Sequence, residues 1–483
     1  MIHGTFVNGR LIAGSGESAK MTDPATAEIY DEISQSGLDQ VEAAAAAADA
    51  AGRGWAAATP RERAQVLLKF ADALEADTAE LSRLEVQETG RPHHFMQHIE
   101  VPMATDNVRY FAGMARSDHG TAAGEFSAGF TSMLRRRPIG TVAGIAPWNF
   151  PLIIGLWKVV PALAAGNAVI LKPAMESPGS SLRAAQLAID AGLPAGLFNV
   201  VTGGAEIGAA LVRNPSVEMV SVTGSTETGK SVMRTAAEAP KKVHLELGGK
   251  GAAIVFDDAD ISAMAASIAF AACYNTGQDC TAATRVYIHR SIFEDAVEAI
   301  RANMRSFPVG DPYDPASLIG PLISERHRER VEGFVFRAQT AGAQLVTGGK
   351  RIAGPGFYFE PTLITGADQQ SEIVQREVFG PVLVALPFDD EDQAVALANG
   401  TDYGLASSVW TLDGSRGHRI AQHLDVGVTW INDHLPLTSE MPHGGVKRSG
   451  FGKDMGSEAL LEYSTAHHVM TRNMPSTTFT ESS

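Results

Sequence analysis

Apolar residues recur at helical spacing across 38–58 (LDQVEAAAAAADAAGRGWAAA) and 60–89, both rich in strong helix formers, so each stretch reads as helix. From Thr141 the texture changes. Short apolar runs of β type (TVAGIA, NAVILKP, FNVVTG, MVSVTG, KVHLELG and GAAIVF) alternate with helical stretches, which predicts a parallel sheet with crossover helices. A second alternating region runs from about Asp257 to Arg448, and its helical segment at 258–276 leads directly to Cys280. GEFSAGFTSMLRRRP interrupts the first region, and the tail after Ala466 also has strand character; the two offer a pairing across subunits. The expected division is one α/β domain over 1–117 and 138–248, a second over 249–448, and a small β element from 118–137 and 466–483.

Length supports this division, because 483 residues exceed what one hydrophobic core usually organises. A 45% apolar share with 19% charged residues fits a globular enzyme. With 39 Lys and Arg against 55 Asp and Glu, the net charge of −16 opposes binding to nucleic acid or anionic lipid. Within so acidic a chain Arg135, Arg136 and Arg137 read as a solvated or interface patch. No stretch is long enough to span a bilayer, the N-terminus has no signal-peptide pattern, and the two cysteines match no zinc or redox pair, so a cytoplasmic location is expected.

Those cysteines differ in setting. Cys273 lies on the apolar run IAFAACYN and reads as filler, whereas Cys280 in NTGQDCTAATR follows Gly277 and precedes small residues that let a loop approach a ligand. A thiol of ordinary pKa needs positive charge, a helix N-terminus or a base to act as nucleophile, and Asp279 supplies none of these. Glu246 in HLELGGK ends a strand between Leu245 and Leu247, where partial burial would raise its pKa as a general base requires. Asn149 in IAPWNFP offers a side-chain amide for a developing oxyanion. A rival exists: Gly224–Ser231 (GSTETGKS) matches the phosphate-loop pattern, and AAIVFDD resembles a Walker B strand, which would make an ATPase.

In order along the chain, APWNFP, NAVILKP, VTGSTETG, LELGGK, GQDC, EVFGP and YGLASSVW resemble the aldehyde dehydrogenase superfamily, over essentially the whole sequence. The resemblance implies a Rossmann-like cofactor domain, an α/β catalytic domain and a small β oligomerisation element, with assembly as a dimer or homotetramer. It implies Cys280 as nucleophile, Asn149 as oxyanion donor and Glu246 as the base for the deacylating water, and so a free acid instead of a CoA thioester. It assigns the cofactor to Ile145, Trp148, Lys172, Gly203, Ser225, Glu377 and Phe379, and turns the apparent phosphate loop into a cofactor loop in which Lys230 needs no role. One departure matters. The KPxE pattern has Met175 at its acidic position and Glu176 one residue later, which loosens discrimination against a 2′-phosphate; NAD is expected, with NADP accepted.

YNTGQDCTA, YGLASSVWT and SEMPHGGVKRSGFGKDM resemble the aminoaldehyde branch of that family, the 4-aminobutyraldehyde dehydrogenases. By position, Met103, Phe150, Trp157 and His443 would line the substrate passage, where aromatic faces suit a cationic end. Asp106, Asp279 and Glu440 are the candidate partners of an ammonium, against a solvated or loop-stabilising reading of each. Betaine aldehyde and simple aldehydes remain alternatives. His94 and His98 have metal-binding helical spacing but no HExxH glutamate or third ligand cluster nearby, and no metal is expected.

Overall fold

The computed structural model describes residues 4–117 and 123–473. Residues 118–122 of the expected β element, 474–483 of the tail and the first three residues lie outside the described part.

An eight-stranded sheet runs in the order Arg10–Ile12, Thr5–Val7, Phe198–Val200, Ala168–Lys172, Thr141–Ile145, Val217–Gly224, Lys242–Leu247, Gly450–Phe451. Its five inner strands are parallel, and their unbroken apolar character follows from helices covering both faces. The two short N-terminal strands and Gly450–Phe451 join it antiparallel at the edges. A seven-stranded sheet takes Gln344–Thr347, Thr362–Thr365, Val382–Phe388, Ala283–His289, Gly251–Val255, Ala406–Trp410 and Val428–Ile431 in that order, parallel but for its first strand. GAAIVF therefore opens the second sheet.

Helices differ from their expected spans where a polar residue breaks the ladder. Leu38–Ala57 buries Val41, Ala44, Ala45 and Ala48. The 60–89 stretch is two helices, Pro60–Ala76 and Thr78–Thr89, parted at Asp77, whose carboxylate takes both Nε and Nη2 of Arg183 at 2.7 Å. The first opens with a capping box, Thr59 Oγ1 accepting from Glu62 N while Glu62 accepts from Thr59 N. Likewise the helix toward Cys280 is only Ile261–Cys273. Asn275, Thr276 and Gly277 follow it in left-handed conformation, which turns the chain into the site.

The expected pairing of the middle segment with the tail occurs inside one chain, not across subunits. Ser464–Arg472 runs antiparallel to Phe130–Pro138 from Ser464 opposite Pro138 to Arg472 opposite Phe130, and Gly124–Ser127 completes a three-stranded sheet. No helix among the described residues is long and apolar enough to cross a membrane.

Candidate active site

Within the eight-stranded sheet the chain winds outward from Thr141–Ile145 in one direction and from Val217–Gly224 in the other. The boundary between these strands is a topological switch point, and open α/β sheets bind ligands at the carboxyl ends of strands there. Ile145, Lys172, Gly224 and Leu247 mark those ends. The helix Thr226–Ala236 starts here, capped by Ser225, whose Oγ accepts from Thr228 N at 3.1 Å and leaves other first-turn N–H groups for an anion. Lys230 lies along the exposed face of that helix, 2.7 Å from Glu227 Oε1, so the phosphate-loop lysine of the ATPase reading is spent on a surface ion pair.

Lys172 is buried, its ammonium donating to Pro173 O at 3.0 Å, and burial pulls it down to about 8. In the turn after it Met175 is half-buried and Glu176 exposed. Gly203 has φ +153, and a Cβ there would meet Ile207 Cγ1 at 2.4 Å. Across the cleft Trp148 stands edge-on to Phe379 at 5.4 Å, and Phe379 keeps a strained φ of 63 while its carbonyl meets His327 Nε2 at 2.6 Å. Glu377 is half-buried and accepts from Gly249 N at 2.8 Å with one oxygen. Anion-ready helix, lysine, glutamate and aromatic wall fit a dinucleotide.

Between these walls the chemistry converges. Cys280 Sγ, a Glu246 oxygen and a His443 ring nitrogen all lie within 4.8 Å of one another. The two glycines after Glu246 make this possible, since a Cβ at Gly249 would fall 2.1 Å from Cys280 O. Gly277, with φ +67, passes equally close to Gly380 O. Asn149 is buried at the start of the helix Pro151–Ala165; its Nδ2 donates to Gln278 O at 3.0 Å, and Asn275 Nδ2 holds Asn149 O at 2.8 Å. The second Asn149 N–H remains for an oxyanion.

Burial, then the charges of Asp279, Glu246 and Glu377, hold the Cys280 thiol well above its ordinary range, so it rests protonated. Glu246 has neither oxygen hydrogen-bonded, and burial pushes it up to about 8; Asp454 adds to the rise, while Lys158 and Lys453 oppose it. Lys158 and Asp454 form a fully buried pair at 2.5 Å, and Asp454 exchanges both backbone bonds with His443. Sequence reasoning passed over this pair: Asp454 lies in the SEMPHGGVKRSGFGKDM segment, but Lys158 lies outside every quoted motif and 296 positions separate them.

On the substrate side Trp157 packs 5.3 Å from His443, and Phe150 lies 6.2 Å from Tyr274 with the Arg91 guanidinium 4.2 Å from its ring centroid. Met103 is half-buried on the neighbouring helix Val101–Met114. Asp106, exposed on that helix, accepts from Ser439 Oγ at 2.7 Å, and Glu440 beside it is exposed. Asp279 turns inward, accepting from Thr281 N and Thr281 Oγ1 at 2.7 Å each, which are the bonds of a loop-shaping aspartate. His94 and His98 straddle the start of a π-helical turn, Met96–Glu100, and join no third ligand among the described residues.

A nucleotide cradle at a switch point, opening onto a thiol and a buried carboxylate, defines a dinucleotide-dependent oxidoreductase of covalent mechanism. Residues 11–469 match the aldehyde dehydrogenase family model, and the chain belongs to that family. It is 39% identical over 471 residues to a betaine aldehyde dehydrogenase of Vibrio vulnificus, covering 96% of each chain. Among solved structures it resembles PnpE from Pseudomonas sp. WBC-3 (37% identity, TM-score 0.97, 100% of each chain). The betaine aldehyde dehydrogenase of Staphylococcus aureus, solved with NAD, is similar at 32% identity and TM-score 0.96, over 100% of this chain and 97% of that one.

Proposed function

We propose that this enzyme oxidises an aldehyde carrying a cationic end, with 4-aminobutanal as the type, to its free carboxylate using NAD. The observation that carries the reading is the convergence of Cys280, Glu246 and Asn149 beside the cradle. Cys280 gives up its thiol proton to solvent, and its Sγ attacks the aldehyde carbon. Asn149 Nδ2 and the Cys280 backbone N–H hold the resulting oxyanion. NAD, when bound, supplies the hydride acceptor and a ring cation that favours the thiolate. Glu246 then takes a proton from water, which cleaves the Cys280 thioester and restores the thiol.

Ile145, Lys172, Gly203 and Ser225 hold the adenosine and pyrophosphate side of the cofactor, and Trp148, Glu377 and Phe379 the nicotinamide side. NADP is accepted, because Met175 replaces the acid that would repel a 2′-phosphate. The three-stranded sheet serves assembly into a homo-oligomer.

Asp106 with Ser439 and Glu440 at the outer end of the passage supports an ammonium. Betaine aldehyde is the second reading, favoured by the names of the relatives and by the aromatic faces of Trp157, Phe150 and Tyr274, which suit a quaternary ammonium. Comparing kcat/KM for 4-aminobutanal, betaine aldehyde and butanal, with NAD and with NADP, decides among them. Asp106→Asn should lower the 4-aminobutanal to butanal ratio about tenfold, from the loss of one charge pair. An unchanged ratio removes Asp106 from recognition, and no NADH with any aldehyde overturns the dehydrogenase reading.

A further inference from the structure

We propose that Cys280, Glu246 and His443 form a site for one borderline divalent cation, Zn²⁺ being the type, and that its binding reversibly shuts the enzyme off. The expectation of no metal weighed His94 with His98 and the spacing of the two cysteines, not Cys280 together with Glu246 and His443. Among the described residues this is the one group of three that presents ligand atoms within 4.8 Å of one another. It offers thiolate, imidazole and carboxylate, the donor set tetrahedral zinc prefers. His443 Nε2 is already 3.6 Å from Glu246 Oε1. A tetrahedral zinc ion with bonds of roughly 2.0–2.3 Å spaces its ligand atoms about 3.5 Å apart, so the widest pair has about an ångström to close.

The second observation is that Glu246 and His443 keep polar atoms without partners. Both Glu246 oxygens and His443 Nδ1 are buried without a hydrogen bond, although Glu246 is only 1% exposed and His443 only 2%. A buried carboxylate without donors is costly, and a cation relieves that cost. A neutral imidazole at His443 carries a lone pair for a metal. Asp279 and Glu377 add negative potential at the thiol. Lys158 and Lys453 oppose it at Glu246, but Lys158 is matched by Asp454.

Binding is a substitution without redox change: the cation forms a bond to Cys280 Sγ, the thiol proton and the proton held by Glu246 leave to solvent, and Glu246 and His443 donate lone pairs. The nucleophile and the base are then both occupied, so neither thiohemiacetal formation nor water activation proceeds.

The metal site is tested independently of the aldehyde reading by titrating the metal-free enzyme with Co²⁺ under anaerobic conditions. The expected result is one ion per chain, with tetrahedral ligand-field bands and a thiolate-to-cobalt charge-transfer band that disappears in Cys280→Ser. His443→Phe, which keeps the stacking on Trp157, and Glu246→Gln should each weaken binding by at least about tenfold. Zn²⁺ should inhibit wild-type NADH formation reversibly by EDTA, and His443→Phe, scaled to its own metal-free rate, should need at least about tenfold more Zn²⁺. The absence of a thiolate band overturns the site, and equal affinity in both His443→Phe and Glu246→Gln overturns it too, leaving only thiol capture.

Discussion

Glu246 serves as the base for the deacylating water from a buried position. Its value of about 8, against an ordinary 4.5, comes first from burial, so the folded protein holds a proton there that the unfolded chain has released. The sign follows. Between the two values the unfolded state binds fewer protons, so stability falls as pH rises from about 4.5 to about 8, and the loss persists above that. Glu246→Gln removes the liability and should gain on the order of a few kcal/mol at pH 9 while changing little near pH 5, measured by urea unfolding at both. In wild type kcat should rise with pH through about 8 where deacylation limits turnover, and a flat profile would separate Glu246 from the limiting step. Cys280, Glu246 and Asn149 were legible because each sits in a local motif with its flanking glycines or aromatics. His443 beside Glu246, and Lys158 against Asp454, were not, because tertiary folding brings together positions far apart in the chain.

Each inner strand of the first sheet was readable from its apolar run, since a strand covered on both faces needs no alternation. The edge strands Thr5–Val7 and Arg10–Ile12 were not, at three residues each and with all three residues of the second exposed. Helix ends were misread where a side chain reaches elsewhere, as Asp77 does to Arg183. The Thr226–Ala236 helix shows what an element contributes to a site. Ser225→Ala removes its cap and should cost about 1 kcal/mol of stability. It should also raise KM for NAD with little effect on kcat, in thermal unfolding and steady-state kinetics; unchanged KM would mean that the cap supports the helix alone.

At the scale of the molecule, the sheet of Gly124–Ser127, Phe130–Pro138 and Ser464–Arg472 pairs with neither larger sheet and exposes Phe126 (77%) and Met470 (48%). Apolar residues so open mark an association surface. Phe126→Glu with Met470→Glu should lower the sedimenting mass to that of smaller assemblies at micromolar protein, and an unchanged mass would place the interface elsewhere. The reading as a whole stands on the covalent step at Cys280, where sheet switch point, oxyanion amide and buried base meet. Glu246→Gln, mixed with NAD and aldehyde, quenched and digested, should carry one acyl group on the Cys280 peptide, with one equivalent of NADH released per site. An NADH burst without that adduct, or an adduct on Cys273, would contradict the account.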